Sequence, residues 1–192
     1  MAAPAAAMED ADALRLHAAL MSGPPCVRAA LGVLRDALRL YGDHRVVVSF
    51  NGGKDATVVA HLLRAALAAH RREGRVDQQA AQGAGASAAA RQQQRPLAVY
   101  WEEPLMFPEL DAFVKGTAAR YGLELIVYTG GFVEGLADLV AKRPGCALVM
   151  GTRSTDPNGA CARAGCWLTQ LLQLLPLVRL LSSAVVVASS SD

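Results

Sequence analysis

Lysine is scarce in this chain: of 192 residues only Lys54, Lys115 and Lys142 carry an ammonium group. Charge of one sign is scarce too, with 19 Lys plus Arg against 17 Asp plus Glu. Such a balance excludes a general nucleic-acid binder, which needs a basic face. It leaves room for a small anionic ligand, which needs only a few local charges. Aromatic residues are only 5% of the chain, and much of the 53% apolar fraction is alanine. The core is therefore lighter than that fraction suggests, yet 53% apolar against 19% charged excludes disorder throughout. The length suits one ordinary domain rather than two.

Cysteine pairs with metal-ligand spacing are missing. Cys161 and Cys166 have no second Cys or His pair nearby, which excludes a zinc site by ligand count. With Cys26 and Cys146 they read as reduced thiols of a cytosolic protein. The first twenty residues carry Glu9, Asp10 and Asp12, where signal and transit peptides avoid acids. Residues 1–25 read as a flexible Ala-rich leader running into a helix. No apolar run of membrane length is clean: 168–188 is interrupted by Gln170, Gln173, Pro176 and Arg179. It reads as an amphipathic tail, and the expectation is no membrane partner.

Between the ends the chain alternates. Val27, Leu31, Leu34 and Leu38 mark one helix face, closed by Gly42 and Asp43. The run 45–50 (RVVVSF) is short, apolar and β-branched, as in a buried parallel strand. Helical spacing returns from Asp55 to about His70. Residues 71–95 hold almost no large apolar group and read as a low-complexity, disordered insertion. Strands follow at 97–101, 124–128 and 147–150, with helices starting near Phe107 and over 132–142. This order predicts an α/β fold, a parallel sheet with helices on its faces. Residues 26–160 form the predicted domain, and 161–192 an atypical C-terminal tail. Ligands of such sheets sit at the carboxyl ends of the strands.

Two strand ends carry polar, glycine-bearing loops. The first is Ser49-Phe50-Asn51-Gly52-Gly53-Lys54-Asp55. The paired glycines allow a sharp turn and close backbone approach to a ligand. The amides of Gly52, Gly53, Lys54 and Asp55 then open a helix N-terminus, a ready anion site. Lys54 adds a charge, Asn51 a donor to phosphate oxygen, and Asp55 a helix cap or magnesium ligand. The spacing is neither that of a Walker A loop nor G-x-G-x-x-G. A Gly-Gly turn beside a solvated lysine is the bland alternative. The second loop is Gly151-Thr152-Arg153-Ser154-Thr155-Asp156-Pro157. Arg153 is a bidentate phosphate donor, the hydroxyls offer neutral hydrogen bonds, and Pro157 fixes the turn after Asp156. His61, on the helix after the first loop, reads as packed or at the surface rather than catalytic. Glu102, Glu103 and Glu109 read as exposed carboxylates of a solvated loop and helix start.

The first loop resembles the PP-loop of the adenine-nucleotide α-hydrolase-like superfamily. That group includes phosphoadenosine phosphosulfate reductases and N-type ATP pyrophosphatases. SFNGGKD looks most like the eukaryotic FAD synthases, which are FMN adenylyltransferases. The second loop is similar to their GTRRTDP segment, with Ser154 in the second arginine position, and 107–113 (FPELDAF) is similar to their FPE-x-x-x-F stretch. The likeness runs from about Leu31 to Asn158 and stops before the aromatic and arginine region that completes a flavin pocket.

The resemblance implies a Rossmann-like fold, ATP and FMN as substrates, and Mg2+ as cofactor. It implies ATP binding by Ser49, Phe50, Asn51, Gly52, Gly53, Lys54, Asp55, Gly151 and Arg153. Asn51, Lys54 and Asp55 are the expected catalytic residues, with Asp55 at the metal. Thr152, Thr155 and Asp156 are expected on the flavin side. Two rivals stand beside this expectation. One is a phosphosulfate reductase-like enzyme using Cys161 or Cys166. The other is a truncated, non-catalytic nucleotide-binding isoform.

Overall fold

In a computed structural model, the described residues are 10–80, 95–102, 107–153 and 184–190. Helices α1 (Asp10–Met21) and α2 (Pro25–Tyr41) precede strand β1 (Val46–Ser49). Then come α3 (Lys54–Ala80), β2 (Leu97–Trp101), α4 (Pro108–Arg120), β3 (Glu124–Tyr128) and α5 (Phe132–Lys142). Strands β4 (Ala147–Arg153) and β5 (Ala184–Ser190) complete the order.

All five strands are parallel, in the spatial order β3-β2-β1-β4-β5. Val47 of β1 lies between Leu97 of β2 and Leu148 of β4. The centre of the sheet is thus flanked on both sides, so its strands are apolar throughout rather than alternating. Val46, Val47 and Val48 are buried, as are Leu97, Ala98, Val99 and Tyr100. β3 is an edge strand with Val127 partly in solvent. Chain order reverses at β1: the strands run outward to β3 on one side and to β4 and β5 on the other.

Helices cover both faces. Leu31, Leu34 and Leu38 of α2, Leu63 and Leu67 of α3, and Val114 and Ala118 of α4 share one core with Val46, Val48 and Phe50. Leu136, Leu139 and Val140 of α5 pack on the other face, against Val47, Leu97, Val99 and Leu148. Trp101, Tyr128 and Phe132 close the rim of that second core.

Three stretches are more ordered than the sequence pattern predicts. The Ala-rich leader contains α1, which packs on α3 with Ala13 buried and Leu20 against the core. Ala13, Leu16 and Leu20 lie at helical spacing, a stripe diluted by small alanines. α3 runs on through 71–80, where a disordered insertion is expected. Missing apolar groups report lost burial, not lost helicity, and Arg, Glu, Gln and Ala are good helix formers. Arg71 also ties α3 to the α2–β1 turn: its Nε donates to Asp43 Oδ2 at 3.1 Å. Finally, β4 extends to Arg153 and β5 pairs along it, from Ala147↔Ala184 to Arg153↔Ser190. Residues 184–190 fall in the region read from sequence as a tail. Among the described residues no helix is long and apolar enough to cross a membrane.

Candidate nucleotide site

The first loop leaves the central strand and enters α3. Phe50 anchors it: the side chain is fully buried and its N–H donates to Val99 O at 2.8 Å. Phe50 therefore holds the loop from beneath, with both ring and amide engaged by the core. Ser49 is half-buried and Asn51 exposed. Asn51 Oδ1 accepts the Gly53 N–H at 3.0 Å, a side-chain-closed turn. One of the four amides expected to face an anion is thereby engaged within the loop. The Asn51 Nδ2 group is the donor that this turn does not use.

Gly52 sits at φ +77°, in the left-handed region. A Cβ there would stand 2.9 Å from Leu110 Cδ1 and from Val114 Cγ2, and 3.3 Å from Phe113 Cδ1. Only glycine meets both demands, an unusual φ and a direct seat on α4. Beyond it, Gly53 O accepts both the backbone N–H and the hydroxyl of Thr57, each at 2.9 Å. Those bonds wind the first turn of α3 and aim its N-terminus at the carboxyl end of β1. Lys54 is exposed at the first residue of α3, and Asp55 is half-buried beside it.

The second loop starts from β4, the neighbour of β1. A Cβ on Gly151 would lie 3.0 Å from Val59 Cγ2 and 3.3 Å from Asp55 O. Gly151 thus lets the end of β4 close against the first turn of α3. Two strand ends that are about a hundred residues apart in sequence meet at the point where strand order reverses, the usual ligand position in open α/β sheets. The backbone of Thr152 and Arg153 continues β4. Ser154, Thr155, Asp156, Cys161 and Cys166 lie outside the described residues.

The neighbouring candidates divide. Glu109 is exposed in the first turn of α4, where a carboxylate suits the helix dipole. Glu102 is only half-exposed, its N–H donating to Tyr128 O at 2.8 Å, and Glu103 is outside the described residues. His61 is packed, as expected: its Nε2 lies 2.7 Å from Tyr121 Oη, with the rings edge to face at 4.6 Å. Burial, and then the Arg64 charge, hold its pKa below the usual histidine range. Cys26 is exposed and Cys146 buried, both as free thiols, and burial pushes the Cys146 thiol up. One pairing had no signal in sequence. Lys115 donates to Asp111 Oδ2 at 2.8 Å and is held above the usual lysine range by that bond and by the charges of Asp111 and Glu102. The i,i+4 spacing of Asp111 and Lys115 was visible; the approach of Glu102 is a product of the fold.

A parallel sheet with a glycine-rich loop at its reversal point and a helix opening behind it has the architecture of the α/β domains that take a ligand at the carboxyl ends of their strands. Residues 45–134 match the phosphoadenosine phosphosulfate reductase domain. The chain is 34% identical over 128 residues to a probable FAD synthase of Caenorhabditis briggsae, covering 66% of this chain and 21% of that protein. It is 31% identical over 131 residues to a probable FAD synthase of Caenorhabditis elegans, covering 68% and 22%. The chain spans about a fifth of the length of these curated relatives. Its fold is similar to Candida glabrata FMN adenylyltransferase in complex with FMN and an ATP analogue, at TM-score 0.57 and 20% identity, covering 80% of this chain and 54% of that one. It is also similar to yeast FAD synthetase in complex with FAD, at TM-score 0.54 and 22% identity, covering 78% and 55%. The chain is thus similar to the phosphoadenosine phosphosulfate reductase domain over residues 45–134 and, over about two thirds of its length, to the eukaryotic FAD synthases.

Proposed function

We propose that this chain transfers AMP from ATP to FMN, giving FAD and pyrophosphate, with the reaction in the cytosol. The observation that carries the reading is the meeting of the SFNGGKD loop and Gly151 at the reversal point between β1 and β4. In the reaction an FMN phosphate oxygen bonds to the α-phosphorus as the bond from that phosphorus to the β-phosphate oxygen breaks. The electron pair leaves with pyrophosphate. Such transfers ask for position and charge neutralisation rather than covalent help from the protein.

The open amides at the head of α3 and the Lys54 ammonium hold the β- and γ-phosphates. Asn51 Nδ2 donates to the reacting phosphates while its Oδ1 keeps the loop closed on Gly53. Arg153 contacts phosphate, and Thr152, Thr155 and Asp156 face the flavin. Asp55 is a carboxylate beside bound phosphates, an unfavourable pairing unless a cation lies between them. That donor set suits Mg2+, which takes one or two carboxylates and completes its octahedron with water and phosphate oxygens. Asp55 would hold the ion, which when bound offsets the charge that develops on the phosphates.

The test is pyrophosphate release from ATP and magnesium, with and without FMN, with FAD followed by its chromatographic mobility. FMN-dependent FAD is the expected result. ATP binding without FAD makes the chain a non-catalytic nucleotide binder. Thioredoxin-dependent release of sulfite from a phosphosulfate would assign the reductase chemistry instead.

A further inference from the structure

We propose that Phe113 is a positioning residue for the phosphate loop, acting through Gly52. The inference rests on the reading that this loop binds ATP, and not on the identity of the second substrate. The loop turns at a residue with φ +77°, a conformation that its own sequence only weakly enforces. What faces the turn is one side of α4: Leu110, Phe113 and Val114, at helical spacing. Val114 is fully buried and belongs to the core of that face. Leu110 packs against the same core. Phe113 differs, because it is 48% exposed and yet its Cδ1 would come within 3.3 Å of a Cβ on Gly52.

A half-exposed ring returns little to stability, so the core does not need it there. It stands instead over Gly52, one of the loop residues whose amides must aim at a phosphate. Leu110 and Val114 support the turn from inside, and Phe113 closes the solvent side. Without the ring the left-handed turn gains room to relax outward. The amides of Gly52 and Lys54 would then lose their common direction.

The experiment compares Phe113→Ala, Phe113→Leu and Leu40→Ala with the wild-type chain. Leu40 is 79% exposed on α2 and serves as a control for trimming a surface hydrophobe. Thermal melts, the ATP Kd by calorimetry, and kcat with KM for FMN are measured on each. For F113A a Kd for ATP raised roughly tenfold is expected, with kcat reduced, KM for FMN unchanged and the melt within a few degrees. That sits below the roughly hundredfold penalty of a full 1 Å misplacement. F113L, which keeps apolar bulk against the turn, should recover most of the loss, and L40A should match wild type. An F113A variant that binds ATP as wild type does overturns the proposal, as does a loss that L40A shares. If F113A does not melt cooperatively, Phe113→Ser, which likewise removes the apolar bulk, takes its place, with the same two outcomes. A wild-type chain that binds ATP but makes no FAD sinks the synthase reading and leaves this one standing on the Kd alone.

Discussion

Replacing Gly52 with alanine tests the loop geometry where it is most constrained. The residue sits at φ +77°, where an L side chain costs about 1–2 kcal/mol. The new Cβ would also lie 2.9 Å from Leu110 Cδ1 and Val114 Cγ2. Leu110 is half-buried and its terminal methyl can rotate away. Val114 is fully buried and has no such freedom. Overpacking of this kind costs about 1–3 kcal/mol. Together the two effects amount to about 2–5 kcal/mol, a large share of the roughly 5–15 kcal/mol that holds a domain folded. At this chain length the melting midpoint should fall by about 4–20 °C. Gly116, on the exposed side of α4 with nothing within 4 Å of its would-be Cβ, supplies the internal contrast. Gly116→Ala should raise stability by about 0.5–1 kcal/mol, because it only removes glycine's helix penalty. Paired thermal melts and ATP titrations on G52A and G116A provide the check. A G52A protein that melts within about 2 °C of wild type and binds ATP equally well would refute the reasoning.

Three further outcomes follow from the geometry. Asn51→Ala and Asn51→Asp should both lower turnover, by roughly a hundredfold on the scale of a lost transition-state donor. Only N51D keeps an acceptor for the Gly53 N–H, so only N51A should also soften the melt; equal melts would show that the turn does not depend on the side chain. His61 has a folded pKa below 6.5, so the unfolded chain binds more protons between those two values. Stability should fall as pH drops through 6.5 and stop falling below the folded pKa; urea melts at about pH 7.5 and 5.5 should show a smaller loss in His61→Gln, and parallel losses would remove His61 from the account. Tyr128 donates to Asp138 Oδ2 at 2.9 Å, and its phenol is pushed up to about 12 by burial and by that bond. Tyr128→Phe should cost about 1 kcal/mol and remove an ultraviolet titration step near pH 12; an unchanged titration curve would show that another tyrosine carries the step.

The sheet was legible because its strands are apolar on both faces. VVV at 46–48, LAV at 97–99 and ALV at 147–149 need no partner to be recognised, since a strand buried on both sides has no polar alternation to disguise it. Helix faces with leucine at periodic positions, such as 31, 34 and 38, were equally plain. The second half of α3 escaped because its signal is alanine, arginine, glutamate and glutamine. Those residues favour a helix but bury little, and a reading built on hydrophobic period discards them. Residues 184–190 escaped for a different reason. AVVVASS reads as a strand only once β4 is known to extend to Arg153 and to need a partner along its outer edge.

The site divides along the same line. The phosphate loop could be read from seven consecutive residues, because each glycine, charge and amide in it has a local reason to be there. What sequence could not supply is how the loop is held. Phe50 looks like a loop residue and is a core residue. Asn51 looks like a ligand donor, and half of its amide closes the turn. Gly151 looks like the start of a second loop, and its missing side chain lets β4 close on α3 where a Cβ would stand 3.3 Å from Asp55 O. These contacts join residues that are 2 to about 100 positions apart, and no motif records them. Among the described residues of the first loop Lys54 is the one cation, so in the proposed site the affinity for phosphate would rest largely on oriented backbone amides. Amides act only while their direction is fixed. If ATP binds there, packing beneath and beside the loop is part of the binding chemistry, and neutral substitutions at Gly52, Phe113 or Gly151 should weaken ATP binding, as charge removal at Lys54 should.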